Sequence, residues 1–277
     1  MPELPEVECL TRAVQEVLVG RTITHATFHR KDLRWPIPTQ EFTKLLVGSP
    51  VLNVRRRSKY MLVETKHGCG IFHLGMTGNI LLSPNEESAW KHTHASFRVL
   101  DQNQDPLFLH FVDPRRFGSI LACTTNELVY HPLLVKLGPE PLEIEDLADH
   151  LWERSRGKSV AVKTFLMDAH NVVGVGNIYA NESLFRAGVR PTRPASKVKR
   201  VEWAKIADQV QSVLKEAIIA GGTSFRDYRH ADGGPGYFEL SLQVYGRAGE
   251  ECGQCGSFVK LKKLGGRATY YCPECQI

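Results

Sequence analysis

Apolar residues recur at the start of the chain with the three- and four-residue spacing of one helix face. The face carries Val7, Leu10, Val14, Val17 and Leu18. Pro5 suits the first helical position, and Gly20 stands where the C-terminal cap of a helix is expected. We therefore predict one amphipathic helix over residues 5–19.

The rest of the first half breaks into short apolar or alternating runs with Gly, Pro, Asn and Asp between them. The runs read VLNVRR, YMLVET, GIFHLG, GNILLS, ASFRVL and LFLHFV. Short strands that follow one another without intervening helices are typical of an antiparallel sandwich or barrel. The pattern predicts a β domain after the single helix.

Helical spacing returns beyond the proline-bearing stretch HPLLVKLGPEPLEIED. It is found in LEIEDLADHLWERS, VKTFLMDAH, NESLFRAG and VEWAKIADQVQSVLKEAIIA. The chain is therefore expected to have an α+β fold in two domains. We predict an N-terminal β domain over 1–131, a linker over 132–145, a helical domain over 146–240 and a terminal segment over 241–277.

Composition is typical of a globular protein. Of the 277 residues 42% are hydrophobic, and no run of about 18 apolar residues offers a membrane span. Glu3, Glu6 and Glu8 occupy the region where a secretory signal would carry positive charge. We expect a cytoplasmic protein with no membrane partner. The formal net charge of +5 permits an anionic partner without requiring one.

The terminal segment contains two C-x-x-C pairs, separated by residues 256–271. The pairs are Cys252 with Cys255 in CGQC, and Cys272 with Cys275 in CPEC. Four thiolates at this spacing are typical of a structural zinc site, which is closed and leaves no position for catalysis. We predict one structural zinc ion (Zn2+) per chain.

Between the two pairs, VKLKKLGGRATYY reads as a β-hairpin that turns near Gly265 and Gly266. It carries the side chains of Lys260, Lys262, Lys263, Arg267, Tyr270 and Tyr271. Cations beside aromatic rings suit phosphates and bases, although a merely solvated basic hairpin has the same composition. The other cysteines, which we expect to be buried thiols in a reducing compartment, are Cys9, Cys69 and Cys123.

Three further stretches combine loop residues with groups that bind nucleic acid. NVVGVGN places two glycines and Asn177 between helices, where backbone N–H groups can approach an anion. RRRSKY contributes three arginines and Lys59, and FVDPRRFG sets Arg115 and Phe117 in a turn that could enter a base stack. The alternatives are a tight helical connection in the first stretch and a turn with Phe117 facing the core in the last.

A series of motifs follows in order along the chain. They are MPELPEVE, RRRSKY, HLGMTG, DPRRFG, LGPEPL, VVGVGNIYANESLF, AGVRP, GGTSFRDY with ADGGPGYF, VYGRAGEEC and GRATYYCPECQ. Together they resemble the bacterial formamidopyrimidine-DNA glycosylase family from residue 2 almost to the end. The chain departs from the family pattern at Thr93, where Asp is usual, and at Glu251, where Pro is frequent. Neither residue carries predicted chemistry.

The resemblance implies an N-terminal antiparallel β-sandwich with a flanking helix, a helical domain with a helix-two-turn-helix, and a zinc finger over 241–277. It implies a DNA glycosylase and AP lyase that removes oxidised purines, 8-oxoguanine and formamidopyrimidines, from damaged double-stranded DNA in base excision repair. We expect a monomer in the bacterial cytoplasm, associated with the nucleoid. The polar stretch GTSFRDYRHADGGPGYF is expected to form a mobile lid over the lesion.

The resemblance assigns catalysis to the N-terminus. Removal of Met1 would leave Pro2 with a secondary amine whose pKa is about 8, so that an uncharged fraction can attack the anomeric carbon of the damaged nucleotide. The attack expels the base and leaves an iminium, which permits β,δ-elimination of the flanking phosphates. Glu3 would protonate the sugar ring oxygen, and Glu6 would orient the array from the first helical turn.

The remaining roles also follow from the resemblance. Lys59 would reach the lesion and its phosphate, and Arg267 would clamp the phosphates and assist the later elimination. Met76, Arg115 and Phe117 would fill the space that the extruded nucleotide leaves. Phosphate or strand contacts are implied for His73, His92, Lys158, Lys163 and Asn177. For each of these except Asn177, a solvated or core-satisfying side chain stays an alternative.

Two other functions stay open from the sequence. An endonuclease VIII-like glycosylase for oxidised pyrimidines would share the N-terminal proline, the helical motif and the zinc hairpin, although HLGMTG and DPRRFG favour the purine enzyme. A zinc-bearing DNA-binding protein without catalysis would need the basic surface but not the amine of Pro2. Retention of Met1 would favour this last alternative.

Overall fold

The computed structural model describes residues 2–87, 90–221 and 242–277. It divides into two compact units, the first containing the chain up to Lys136 and the second beginning at Leu137. The described part of the C-terminal segment, from residue 242, belongs to the second unit. The expected lid over 222–238 lies outside the described residues.

The first unit begins with helix α1, Leu4–Leu18, one residue ahead of the predicted bounds. A capping box starts the helix, because the side chains of Glu3 and Glu6 each accept a hydrogen bond from the backbone N–H of the other. Pro5 fits the first turn, where a missing N–H costs no helical bond. The helix ends before Gly20, whose φ of +85° lies in the left-handed region.

Two antiparallel sheets form most of the first unit. Their strands are β1 (Thr22–Phe28), β2 (Ser49–Pro50), β3 (Asn53–Arg57), β4 (Tyr60–Glu64), β5 (Gly68–His73), β6 (Asn79–Ser83), β7 (Thr93–Leu100), β8 (Pro106–Val112) and β9 (Ser119–Thr124). The larger sheet has the order β2-β1-β7-β8-β6, and the smaller has the order β3-β4-β5-β9. All the strand pairs are antiparallel.

The inner faces of the two sheets share one hydrophobic core with the apolar face of α1. Phe72 on the smaller sheet meets Phe97 on the larger sheet edge to face, with ring centroids 5.8 Å apart. Sheets that pack face to face through alternating inward side chains form a sandwich. The antiparallel β domain predicted from the sequence is therefore confirmed, and it is a sandwich.

The prediction that only strands follow α1 in this half of the chain was wrong. A second helix, α2, spans Thr39–Leu46 and buries Phe42, Leu45 and Leu46, which are spaced as one helix face. Phe42 contacts Phe72 edge to face at 6.0 Å, so α2 contributes to the same core. The helix is short and follows a proline-rich stretch, which obscured its periodicity. Strands β1, β2 and β9 also lie outside the predicted runs.

The second unit contains four α-helices in its described part. They are α3 (Leu147–Ser155), α4 (Val162–Leu166), α5 (Asn177–Arg186) and α6 (Arg200–Ile219). Helix α3 begins five residues later than its sequence pattern, because the side chain of Asp146 accepts the N–H of Asp149 at 2.9 Å and caps the helix there. Phe165 packs on Trp203 in the core, with centroids 5.4 Å apart. No helix in the described ranges is long and apolar enough to cross a membrane.

A β-hairpin completes the second unit, with strands β10 (Lys260–Leu264) and β11 (Arg267–Tyr271). Its two-residue turn has φ values of +54° at Gly265 and +77° at Gly266, which confirms the predicted turn. The amide oxygen of Asn181 on α5 accepts the backbone N–H of Tyr270 at 2.8 Å. This bond fixes the hairpin to the helix that follows the glycine-rich turn.

Candidate active site and DNA interface

The proposed nucleophile and acid lie buried at the first turn of α1. Pro2 is buried, and the side chains of Glu3 and Glu6 are 1% and 2% exposed. The carboxylate of Glu6 accepts the backbone N–H of Glu3 at 2.7 Å. Because α1 is anchored in the sandwich core, this hydrogen bond fixes the backbone at Glu3 and the direction in which the chain leaves toward Pro2.

Lys59 lies at the tip of the tight hairpin between β3 and β4. The hairpin has a two-residue loop, and Ser58 takes a left-handed φ of +57° there. Non-glycine residues with such a φ are uncommon and cluster at functional sites. The adjacent residue Tyr60 opposes His73 across the β4–β5 ladder, with ring centroids 4.9 Å apart. The ladder therefore brings Lys59 to the same end of the sheet as His73.

The imidazole of His73 is held in its neutral form. Burial, together with the positive charges of Lys59 and Arg34, lowers the pKa of His73 to about 4. Its Nδ1 accepts the backbone N–H of Gly75 at 3.0 Å, so Nε2 carries the proton. A neutral ring with Nε2–H as a donor can bind a phosphate oxygen.

A cavity of 580 Å³ in the first unit joins His73 to two of the predicted void-filling residues, Met76 and Phe117. Its lining also includes Arg34 and Arg116, which were not predicted as site residues from the sequence. Arg34 is placed by a backbone hydrogen bond, in which its N–H donates to the carbonyl of Gly118 at 3.1 Å. The only sequence signals for these two residues were the arginine–tryptophan pair in LRWP and the arginine doublet in DPRRFG.

Arg115 and Phe117 project from the turn between β8 and β9. Phe117 is 46% exposed, so the alternative that its ring faces the core is wrong. The guanidinium carbon of Arg115 lies 5.1 Å from the Phe117 ring centroid, a cation–π arrangement. An exposed aromatic ring with an arginine beside it is the side-chain pair that was expected at this turn.

His92 and Lys158 are exposed, in the first and second unit respectively. His92 has a left-handed φ of +66°, and its carbonyl accepts the N–H of Asp113 at 3.0 Å. Lys158 and Arg267 both line a second-unit cavity of 530 Å³, and Arg154 adds a third cation to its wall. The structure thus brings Lys158 and Arg267 to one cationic concavity, which suits a phosphate.

Lys163 differs from the other predicted DNA contacts, because it is only 1% exposed. Its ammonium group donates to the carbonyl of Ala268 and to the hydroxyl of Thr269, both at 2.7 Å. These contacts support the alternative that the sequence left open, a side chain satisfied within the core. Lys163 joins α4 to the hairpin strand that carries Arg267.

Asn177 is the first residue of α5, at the positive end of that helix. The preceding turn uses Gly174 at φ +79°. The Oδ1 atom of Asn177 is buried and has no hydrogen-bond partner among the described residues. A buried amide oxygen without a partner is uncommon in native proteins, and because that oxygen only accepts, a phosphate contact at this residue would use the Nδ2 donors of the same amide.

The four cysteines of the C-x-x-C pairs converge in the second unit, and their sulfur atoms all lie within 4.8 Å of one another. The Cys252 and Cys275 sulfurs are 3.8 Å apart, and the Cys255 and Cys272 sulfurs are 3.4 Å apart. A tetrahedral zinc with thiolates at about 2.3 Å separates its ligands by about 3.8 Å. The cluster fits one structural zinc ion with all four positions filled by protein.

The single cysteines lie in the first unit. Cys69 and Cys123 are buried, as expected, whereas Cys9 on α1 is only partly buried. Burial raises the pKa of Cys9 and of Cys123 to about 11. Thiols with such pKa values are poor nucleophiles at neutral pH.

Models of three protein domains match successive parts of the chain. Residues 1–120 match the formamidopyrimidine-DNA glycosylase N-terminal domain, residues 137–229 match the H2TH domain of the same enzyme, and residues 249–277 match a zinc finger found in FPG and IleRS. A formamidopyrimidine-DNA glycosylase of Stenotrophomonas maltophilia is 48% identical over 276 residues, with all of both chains covered. The chain belongs to the formamidopyrimidine-DNA glycosylase family.

Other members of the family also match this chain over its whole length or nearly so. The formamidopyrimidine-DNA glycosylase of Idiomarina loihiensis is 46% identical, again with both chains fully covered. The solved complex of Lactococcus lactis Fpg with DNA that contains an abasic site matches with a TM-score of 0.89 at 30% identity, covering 99% of each chain. The MutM (Fpg) protein of Thermus thermophilus matches with a TM-score of 0.86 at 36% identity, covering 99% of this chain and 98% of that one.

Family membership and the model together confirm the α+β fold and the structural zinc site of the formamidopyrimidine-DNA glycosylase family. The roles given to individual residues stay predictions. In the first unit the structure groups Lys59, His73 and Met76 near the sheet ends, and in the second it groups Lys158 with Arg267. The structure places Lys163 in the core.

Proposed function

We propose that this chain is a bifunctional DNA glycosylase and AP lyase of base excision repair that acts on oxidised purines in double-stranded DNA. The observation that carries the proposal is the buried pair of Glu3 and Glu6 at the start of α1, directly after Pro2. Within the formamidopyrimidine-DNA glycosylase family, this arrangement sets a secondary amine beside a carboxyl group that a helix holds in place.

The reaction starts at the amine of Pro2, once Met1 has been removed. Its nitrogen forms a bond to C1′ of the damaged nucleotide as the bond from C1′ to the base breaks, the electron pair leaves with the base, and the proton that the nitrogen loses balances the charge of the departing base. Glu3 gives a proton to the ring oxygen as the sugar opens, which yields an iminium between Pro2 and C1′. Glu6 touches no reacting atom and acts as a positioning residue for Glu3.

The iminium acidifies C2′, and loss of that proton expels the phosphate on the 3′ side. A second elimination expels the phosphate on the 5′ side, so the damaged sugar is released from both flanking nucleotides. Lys59 and Arg267 supply cations for the phosphates in these steps, and Asn177 and His73 supply hydrogen-bond donors. The zinc ion holds the hairpin that carries Arg267 and takes no part in a bond-making step.

Met76, Arg115 and Phe117 occupy the space in the stack once the lesion has left the duplex. The guanidinium of Arg115 has only donors, so it pairs better with cytosine, whose pairing edge has two adjacent acceptors, O2 and N3, than with adenine, whose pairing edge has one acceptor, N1, beside an amino donor. Excision of 8-oxoguanine should therefore be faster opposite cytosine than opposite adenine. A DNA substrate also implies a nucleoid-associated protein of the bacterial cytoplasm.

Single-turnover excision on two duplexes tests the proposal. One duplex carries 8-oxoguanine opposite cytosine, and the other carries thymine glycol opposite adenine. We expect faster excision of 8-oxoguanine. A clear preference for thymine glycol would assign the chain to the endonuclease VIII-like alternative. If protein that lacks Met1 excises neither lesion, the result would favour the alternative of a DNA-binding protein without catalysis.

A further inference from the structure

Two turns of the first unit run side by side from one sheet to the other. Residues 74–78 connect β5 to β6, and residues 113–118 connect β8 to β9. Strand β5 pairs with β9 in the smaller sheet, where His73 opposes Ser119. Strand β6 pairs with β8 in the larger sheet, where Asn79 opposes Val112. The topology therefore sets the Met76 turn directly against the turn of Arg115 and Phe117.

Asp113 begins the second turn and is fully buried. One carboxylate oxygen, Oδ2, accepts the backbone N–H of Gly118 at 2.7 Å and closes the turn on itself. The other, Oδ1, accepts the hydroxyl of Thr77 at 2.6 Å, across the boundary between the two turns. A buried carboxylate with several donors fixes its surroundings strongly, because leaving any donor unpaired is costly.

The hydroxyl of Thr77 bonds to the second turn both as a donor and as an acceptor. While its hydroxyl hydrogen is donated to Asp113, its oxygen accepts the backbone N–H of Arg115 at 3.2 Å. The same N–H lies 3.3 Å from Oδ1 of Asp113. The residue that follows Met76 is thus hydrogen-bonded to the residue that begins the second turn and to the backbone of Arg115.

The two turns are also in direct backbone contact. A Cβ atom at Gly75 would lie 2.4 Å from the carbonyl carbon of Phe117, and Gly75 has a left-handed φ of +63°. No side chain therefore fits between the turns. Arg116 adds a left-handed φ of +59°, a strained conformation that its surroundings must maintain.

We propose that Thr77 and Asp113 are positioning residues for selection of the opposite base. They hold the two turns in one register, so that Met76 from one turn and Arg115 with Phe117 from the other enter the duplex as a single unit. The inference rests on the proposed function, in which these three side chains fill the vacated space. Loss of the register lets Arg115 shift, and a shifted guanidinium distinguishes cytosine from adenine less well.

The test compares Thr77→Val with Thr77→Ser. Valine has the shape of threonine without its hydroxyl, whereas serine keeps the hydroxyl. Single-turnover rates on 8-oxoguanine opposite cytosine and opposite adenine give a ratio for each protein. One hydrogen bond corresponds to about a two- to tenfold effect, so we expect Thr77→Val to reduce the ratio by about that factor and Thr77→Ser to restore it. Cleavage of a preformed abasic site should change less than the ratio.

Asp113→Asn is a second variant, since its amide nitrogen cannot accept a hydrogen bond and so leaves either the Gly118 N–H or the Thr77 hydroxyl without its acceptor. It should reduce the ratio as Thr77→Val does, and melting temperatures identify which variants are folded. A folded Thr77→Val or Asp113→Asn protein with the wild-type ratio would overturn the inference. Arg115→Ala distinguishes failure of this inference from failure of the proposed function. If Arg115→Ala removes the preference for cytosine while folded Thr77→Val and Asp113→Asn keep it, only the positioning role of Thr77 and Asp113 is contradicted. A wild-type protein without any opposite-base preference overturns the proposed void filling and the inference with it.

Discussion

The backbone N–H of Glu3 donates to the carboxylate of Glu6 at 2.7 Å, and both side chains are buried at the first turn of α1. This bond ties the proposed acid to a helix whose apolar face belongs to the sandwich core. The N-terminal dipeptide of Pro2 and Glu3 is therefore positioned by the fold, although it precedes the first helical residue.

Glu6→Ala should lower both stability and base excision. It leaves the buried N–H of Glu3 without the carboxylate acceptor, which costs about 1 to 3 kcal/mol of unfolding free energy. Glu6→Gln should keep most of the stability, because a glutamine side chain also accepts in a capping box. Denaturant unfolding and single-turnover excision measure both effects. Wild-type excision by Glu6→Ala would contradict the positioning role of Glu6.

Zinc removal should affect the second unit and not the first. Cys255→Ser removes one of four thiolates, so we expect loss of zinc, loss of order in the hairpin and loss of DNA binding, because metal binding is coupled to local folding. Cys9→Ser is the matched control and should keep one zinc per chain. Metal analysis and binding to lesion DNA measure these outcomes. Full DNA binding by zinc-depleted Cys255→Ser would show that the hairpin does not need the metal.

Lys163 and Lys158 should respond differently to replacement by methionine. Lys163→Met leaves the Ala268 carbonyl and the Thr269 hydroxyl without the ammonium donor, so we expect a loss of about 1 to 3 kcal/mol and faster amide exchange in β11. Lys158→Met removes an exposed cation, so it should reduce the slope of log binding constant against log salt by about one. A reduced slope in folded Lys163→Met would instead assign Lys163 a phosphate contact.

Acid should destabilise the first unit partly through His73. Its pKa is about 4 in the folded chain and about 6.5 when unfolded, so the unfolded state binds the proton first. The contribution of His73 to stability is complete above pH 6.5 and is lost as the pH falls toward 4. His73→Asn keeps an acceptor for Gly75 without titrating in this range. Denaturant unfolding at several pH values should show that the wild type loses on the order of 2 kcal/mol more unfolding free energy than this variant between pH 6.5 and 4. Equal losses would contradict the lowered pKa of His73.

The elements that could be predicted from sequence are those whose determinants are local. Helix α1 has five apolar residues on one face with a proline and a glycine at its ends, and the zinc site has its ligands within two short knuckles. Helix α2 has only three buried apolar residues and is short, so its periodicity was weak. Sequence pattern alone predicts an element when several helical turns repeat the same apolar spacing, or when metal ligands follow a fixed spacing.

Burial of Lys163 could not be predicted from sequence, because its acceptors are on a hairpin strand more than 100 positions away. The same applies to Arg34 and Arg116, which share a cavity because the loop that contains Arg34 hydrogen-bonds to the distant turn at Gly118. The link from Thr77 to Asp113 likewise depends on two turns that cross between the sheets side by side. Such relationships are set by sheet topology, which residue types do not specify.

Covalent trapping tests the central claim, the iminium at Pro2, most directly. Protein that begins at Pro2, verified by intact mass, is incubated with 8-oxoguanine duplex and borohydride, which reduces an iminium to a stable amine. A matched protein with an N-terminal extension keeps the same chain but has no amine at Pro2. We predict that only the protein with the exposed amine is trapped, and that peptide mapping places the adduct on Pro2. Equal trapping of the extended protein would contradict the mechanism.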